Sequence, residues 1–141
     1  MNVGLKNCVL DSVVKKRILL IDDNTDIVTL LQYSLEDMCG WSVITATSGR
    51  EGLIKANTET IDAIILDGIM PDMDGLMFLQ TLKNLPEKQN LPVILLTGSM
   101  TLTQQINALG FHLSGTIIKP FDPLSICEKI AQFLGWTLEE I

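Results

Sequence analysis

At 141 residues, 47% of them hydrophobic and 19% charged, the chain is long enough for one globular domain with a single hydrophobic core. A formal charge of −7, with no Lys/Arg cluster beyond Lys15, Lys16 and Arg17, argues against nonspecific nucleic-acid binding. No run of about 18 apolar residues spans a membrane, and Lys6 and Asp11 interrupt the N-terminal stretch MNVGLKNCVLD before a signal peptide develops, so a cytoplasmic location is expected.

Residues 1–15 read as an N-terminal extension and 16–141 as one domain. Five apolar runs of strand length follow one another: RILLI (17–21), WSVITA (41–46), AIIL (63–66), PVILLT (92–97) and GTIIK (115–119). Their near-continuous apolar character suits a parallel sheet covered on both faces. Between them lie segments of helical period. Asn24 is placed to cap a helix with Ile27, Leu30, Leu31, Ser34 and Leu35 on one face. Ser48 and Glu51 have capping-box spacing ahead of Leu53 and Ile54. Asp74-Gly75 opens LMFLQTLKNL, and in the fourth helix Leu102, Ile106 and Leu109 face inward while Thr103, Gln104 and Asn107 face outward. Asp122-Pro123 supplies a cap and an N1 proline before LSICEKIAQFLGW. The alternation is (βα)5, an α/β fold with right-handed crossovers and a doubly wound, five-stranded parallel sheet.

In such a sheet, ligands bind outside the carboxyl ends of the strands. The first strand ends in Asp22-Asp23, the third in Asp67, the fourth in Thr97 and the fifth in Lys119-Pro120. Three neighbouring carboxylates without a cation raise one another's pKa and cost stability. Oxygen ligands of this kind suit Mg²⁺, which binds through a few carboxylates together with waters and phosphate oxygens. Lys119 then offers a positive charge, and Thr97 a hydroxyl, to an anionic group beside the metal. A phosphoryl group fits, because its transfer needs charge neutralisation and positioning above all. Asp67 is the natural nucleophile, since a carboxylate can form an aspartyl-phosphate.

These residues resemble the receiver domain of two-component response regulators, the CheY-like family. The acidic pair Asp22-Asp23, LDGIMPDMDG (66–75), LLTG (95–98) and IIKPFD (117–122) match its four motifs in order. The separations agree as well: 44 positions from Asp23 to Asp67, 30 on to Thr97 and 22 more to Lys119. The resemblance implies a flavodoxin-like sheet with strand order 2-1-3-4-5. It implies that Asp67 accepts a phosphoryl group from a phosphohistidine on a histidine kinase or histidine phosphotransfer protein. Asp23, Asp67 and the backbone carbonyl of Ile69 would ligate Mg²⁺, with Asp22 acting mainly through a metal-bound water. Thr97 would turn inward to a phosphoryl oxygen, Lys119 would pair with the phosphate, and Gly98 would leave room beside it. Such a protein is not an enzyme beyond catalysing its own phosphorylation and dephosphorylation.

The chain departs from that family at Thr116, three positions before Lys119, where an aromatic residue is usual. Another feature bears on lifetime: Ile69, two residues after Asp67, offers no polar group to orient an attacking water, so slow self-dephosphorylation is expected. From Leu91 to Ile118, 28 residues contain no Asp, Glu, Lys or Arg. A neutral face is cheaper to desolvate than a charged one, and the fourth helix, fifth strand and fifth helix are expected to meet an unidentified downstream protein partner or a second copy of the chain. No nucleic-acid or membrane partner is expected. Two other readings stand beside the phosphoacceptor switch: a binding-only receiver, kept open by Thr116, and an aspartyl-phosphate hydrolase, disfavoured by Ile69 where such enzymes carry a second aspartate.

Other residues take ordinary readings. Cys8, Cys39 and Cys127 are odd in number and far apart, so reduced, buried thiols are expected rather than zinc or a disulfide framework. Asp72-Met73-Asp74-Gly75 reads as a turn and cap, not a calcium loop. His112 reads as a surface or half-buried residue, Trp136 as a packing anchor and the methionines as core filler and loop packing.

Overall fold

Continuous apolar strands can be satisfied only if both faces of the sheet are covered. The computed structural model, which describes residues 15–138, has that arrangement. Strands β1 (Arg17–Ile21), β2 (Ser42–Ala46), β3 (Ala63–Asp67), β4 (Val93–Thr97) and β5 (Gly115–Ile118) form one parallel sheet in the order β2-β1-β3-β4-β5. Helices α1 (Thr25–Tyr33), α2 (Gly49–Thr58), α3 (Gly75–Lys83), α4 (Met100–Ala108) and α5 (Ile126–Leu134) make the crossovers. The expected N-terminal extension, with Cys8, lies outside the described residues apart from Lys15.

Side chains alternate across the sheet and divide the core in two. Ile18, Leu20, Ile65, Ile94, Leu96 and Ile117 face α1 and α5. Leu19, Ile21, Ile64, Leu66, Val93 and Leu95 face α2, α3 and α4. At about 25 cal/mol per Å² of apolar surface, burial of this kind is the main favourable contribution to folding. No helix of the described residues is long and apolar enough to cross a membrane.

Caps account for most helix starts. Asn24 accepts from the N–H groups of Asp26 and Ile27, and Asp74 from that of Met77. Ser48 accepts from Glu51 N–H, but the Glu51 carboxylate reaches back to Thr47 N–H rather than to Ser48. The last helix starts later than expected. Asp122 makes a local turn by accepting from Leu124 N–H, and the helix begins at Ile126 behind Ser125, whose side chain makes no cap.

Several faces differ from expectation. α1 continues into a π-helical turn (Ser34–Met38); Leu31, Ser34 and Leu35 are buried and Ile27 packs on the core as expected, but Leu30 is exposed and Val28 is buried instead. In α4, Thr103 is buried beside Ile106, whereas Leu109 is exposed because the helix ends at Ala108 and Gly110 turns the chain at φ 86°. Ile54 is also exposed. Met70 is core, but Met38, Met77 and Met100 are exposed, so the methionines are not uniformly filler. Trp136 packs edge-on against Trp41 with ring centres 5.2 Å apart, as an anchor should, and His112 is exposed.

The cysteine expectation is corrected. Cys39, which ends the π-helical turn, and Cys127 in the first turn of α5 form a disulfide with Cα atoms 5.5 Å apart. Their separation of 88 positions carries no local spacing signal; the fold alone brings them together.

Candidate functional site

The parallel register delivers the ends of four strands to one edge. Asp22 and Asp23 follow β1, Asp67 closes β3, Thr97 closes β4 and Lys119 follows β5. With Asn24, Ile69 and Gly98 they line an open cleft of about 320 Å³. The strand ladder extends one step beyond β1, where Asp22 N–H donates to the Ala46 carbonyl at 3.1 Å. Asp22 Oδ1 then accepts from Asn24 N–H at 2.9 Å, which orients the carboxylate as the chain enters the cap of α1.

Asp22 is fully buried, Asp67 nearly so, and Asp23 is exposed. One oxygen from each lies within 4.8 Å of the others. Lys119 Nζ stands 3.2 Å from Asp67 Oδ1 and 3.4 Å from Asp22 Oδ2. Burial and the neighbouring Asp22 charge push the Asp67 carboxyl up from 3.8 to about 6, against the opposing pull of Lys119. One ammonium, paired with two of the three carboxylates, therefore leaves a surplus of negative charge that a hard divalent cation would relieve.

Thr97 is turned toward its own loop. Its hydroxyl donates to the Ser99 carbonyl at 3.1 Å and accepts from Ser99 N–H at 3.3 Å, at the N-terminus of α4. A Cβ at Gly68 would lie 2.8 Å from Leu102 Cδ2, the tip of a half-buried side chain that would have to shift to admit it. A Cβ at Gly98 would meet only open space, so the cleft is unobstructed on that side. Ile69 stands at the mouth, 72% exposed.

The expected residues Asp22, Asp23, Asp67, Ile69, Thr97 and Lys119 thus share one cleft. Thr116 is not among its lining residues; its hydroxyl meets that of Thr103 on α4 at 3.2 Å. Phe111 is half-buried beneath the ammonium of Lys83. Asp72 has a role that the sequence reading missed. Its carboxylate accepts from the N–H groups of Arg50 (2.9 Å) and Gly49 (3.1 Å), bonds that hold its pKa below the usual range. It thereby ties the loop carrying Ile69 to the start of α2, across more than twenty positions with no local signal.

A family model described as the response regulator receiver domain matches residues 18–131. The chain belongs to that family. The receiver is 36% identical over 121 residues to the alkaline phosphatase synthesis transcriptional regulatory protein PhoP of Bacillus subtilis (strain 168), covering 86% of this chain and 49% of that protein. It is 32% identical over 123 residues to the probable transcriptional regulator ycf27 of Cyanophora paradoxa, covering 87% and 50%. The chain spans about half the length of these curated relatives. Among solved structures, the chemotaxis response regulator CheY4 of Vibrio cholerae superposes with a TM-score of 0.77 at 30% identity, covering 85% of this receiver and 99% of that chain. A CheY-like receiver domain protein from Methanospirillum hungatei JF-1 does so with a TM-score of 0.76 at 31% identity, covering 86% and 95%. The receiver has the five-stranded, 2-1-3-4-5 flavodoxin-like fold of those proteins.

Proposed function

We propose that this receiver accepts a phosphoryl group on Asp67 from the phosphohistidine of a histidine kinase or histidine phosphotransfer protein in the cytoplasm. The observation that carries the reading is the position of Asp67, buried between the Asp22–Asp23 pair and Lys119 on an open cleft. Asp22, Asp23, Asp67 and the Ile69 carbonyl form an oxygen donor set suited to Mg²⁺, which when bound would neutralise phosphoryl oxygens.

An Asp67 carboxylate oxygen attacks phosphorus while the P–N bond breaks and the imidazole leaves with the electron pair. Lys119 exchanges its contact with Asp67 for one with a phosphoryl oxygen, so its charge stays compensated. The Thr97 hydroxyl leaves the Ser99 carbonyl and donates to the same group, freeing a contact at the start of α4. The phosphorylated and unphosphorylated states then differ at the α4 terminus, and the population shifts between them. The readout face is that of α4, β5 and α5, where uncharged Gln104 and Asn107 are exposed on α4, Leu109 just after it, Ile118 on β5 and Leu124 ahead of α5. It would take an unidentified downstream protein or a second copy of the chain.

Phosphoramidate, a small P–N donor, separates this reading from its rivals. The switch gives at most one base-labile phosphoryl group per chain, with little continuing release of phosphate. Sustained turnover would favour the hydrolase. Phosphorylation that leaves the conformation and associations unchanged would favour a binding-only receiver.

A further inference from the structure

The first helix and the last are joined by a covalent bond that the cleft chemistry does not use. Cys39 is half-exposed at the end of the π-helical turn, and Cys127 is buried in the first turn of α5. Neither lines the cleft. Around them Leu35, Trp41, Ile126, Ile130 and Ala131 pack into the core shared by α1 and α5. Beyond Leu134 the Trp136 N–H returns to the Ala131 carbonyl at 2.9 Å.

We infer that Cys39 and Cys127 form a reversible dithiol–disulfide site, whose oxidation clamps the last helix to the end of the first. Three observations carry this. With the bond closed the Cα atoms stand 5.5 Å apart, an ordinary separation for a disulfide, so the surrounding fold accommodates the oxidised form. One sulfur belongs to a half-exposed residue and the other to a buried one, which gives an incoming thiol or disulfide a single point of attack at Cys39. The core beneath them, from Ile18 to Ala131, is extensive, so the fold is not of the small kind whose packing depends on a disulfide.

The partner is a low-molecular-weight disulfide of the glutathione type. The Cys39 thiolate attacks one of its sulfurs and expels a first thiolate, forming a mixed disulfide. The Cys127 thiolate then attacks the Cys39 sulfur and expels the second. The protein loses two electrons and two protons overall, and the small disulfide becomes two thiols. Reduction runs the same steps backward from Cys39. Because α5 follows directly on the segment after Lys119, the bond restricts the helix nearest in sequence to the cleft's only cation among the described lining residues.

The test uses the full chain carrying Cys8→Ser, equilibrated in glutathione buffers of stepped oxidised-to-reduced ratio. Free thiols are counted by maleimide mass shift, and amide exchange is followed over residues 126–134. The site predicts that both thiols vanish together in one step that fresh reduced glutathione reverses. It predicts that opening of the last helix slows by about tenfold in the oxidised form. The same chain with Cys127→Ala shows no such step and an exchange rate indifferent to the buffer. Two thiols still free in the most oxidising buffer, a bond that survives excess dithiothreitol in the folded protein, or exchange that ignores oxidation would each overturn the inference.

Discussion

Thr103 on α4 and Thr116 on β5 bring their hydroxyl oxygens to 3.2 Å across the seam between helix and sheet. Thr103 is buried, so its hydroxyl has little access to water. Removing one partner by Thr116→Val strands the other, a loss of about 1–2 kcal/mol. The double variant Thr103→Val with Thr116→Val removes both polar groups at nearly constant shape and recovers most of that loss. Urea unfolding of the two single variants and the double variant checks the pair; strictly additive losses would contradict the coupling.

The Asp67 carboxyl gives the metal-free protein a pH dependence of definite sign. The folded chain holds this proton to about pH 6, while the unfolded chain releases it near the ordinary 3.8. Folding therefore gains most from this group below that lower value, and the gain is lost as pH rises through the window. Asp67→Asn removes the effect. Without Mg²⁺ the variant is expected to be of similar stability to the wild type near the acid end and more stable above the window, by on the order of 1–3 kcal/mol. Mg²⁺ should narrow the difference by stabilising the wild type selectively. Unfolding curves across that range decide it, and a difference that does not change with pH would contradict the assignment.

If Asp67 is phosphorylated as proposed, Ile69 stands where water would approach it. It is exposed at the cleft mouth and carries no polar atom. Replacing it with Asn or Glu places a hydrogen-bonding group where an attacking water must approach, and loss of the phosphoryl group should accelerate by roughly tenfold. Decay of the purified phosphoprotein, followed by intact mass, measures this directly. An unchanged half-life would show that water is positioned by something else.

The strands were legible in the sequence because a sheet covered on both faces turns each strand into an apolar run, and the site because polar residues end those runs. Asp22, Asp23, Asp67, Thr97 and Lys119 converge by parallel register alone. Helix faces were less legible. Leu109 matches the period of Leu102 and Ile106, but the helix stops one residue before it, and Thr103 turns inward to meet a hydroxyl on another element. The late start of α5 was hidden because Asp122 spends its carboxylate on a local turn. Contacts between distant segments, such as Asp72 with α2 and Cys39 with Cys127, have no periodicity to read.

The uncharged α4 surface of the proposed readout face can be tested separately. Gln104 and Asn107 are exposed on α4, near exposed Leu109. Lysines at both positions would have to be desolvated, or repel their copies, on forming an interface. Sedimentation of the phosphorylated protein should show weaker self-association for the double lysine variant, with phosphoryl labelling intact. Association equal to the wild type would place the interface elsewhere.

On the proposed function, Asp67 carries the phosphoryl group and Mg²⁺ is needed to put it there. Intact-mass analysis after incubation with acetyl phosphate, with and without Mg²⁺, tests both parts on the wild type and on Asp67→Ala. The wild type should gain a single phosphoryl group, absent without Mg²⁺ and absent from the variant. A wild type that takes up none under these conditions, or a variant that is labelled as fully, would contradict it.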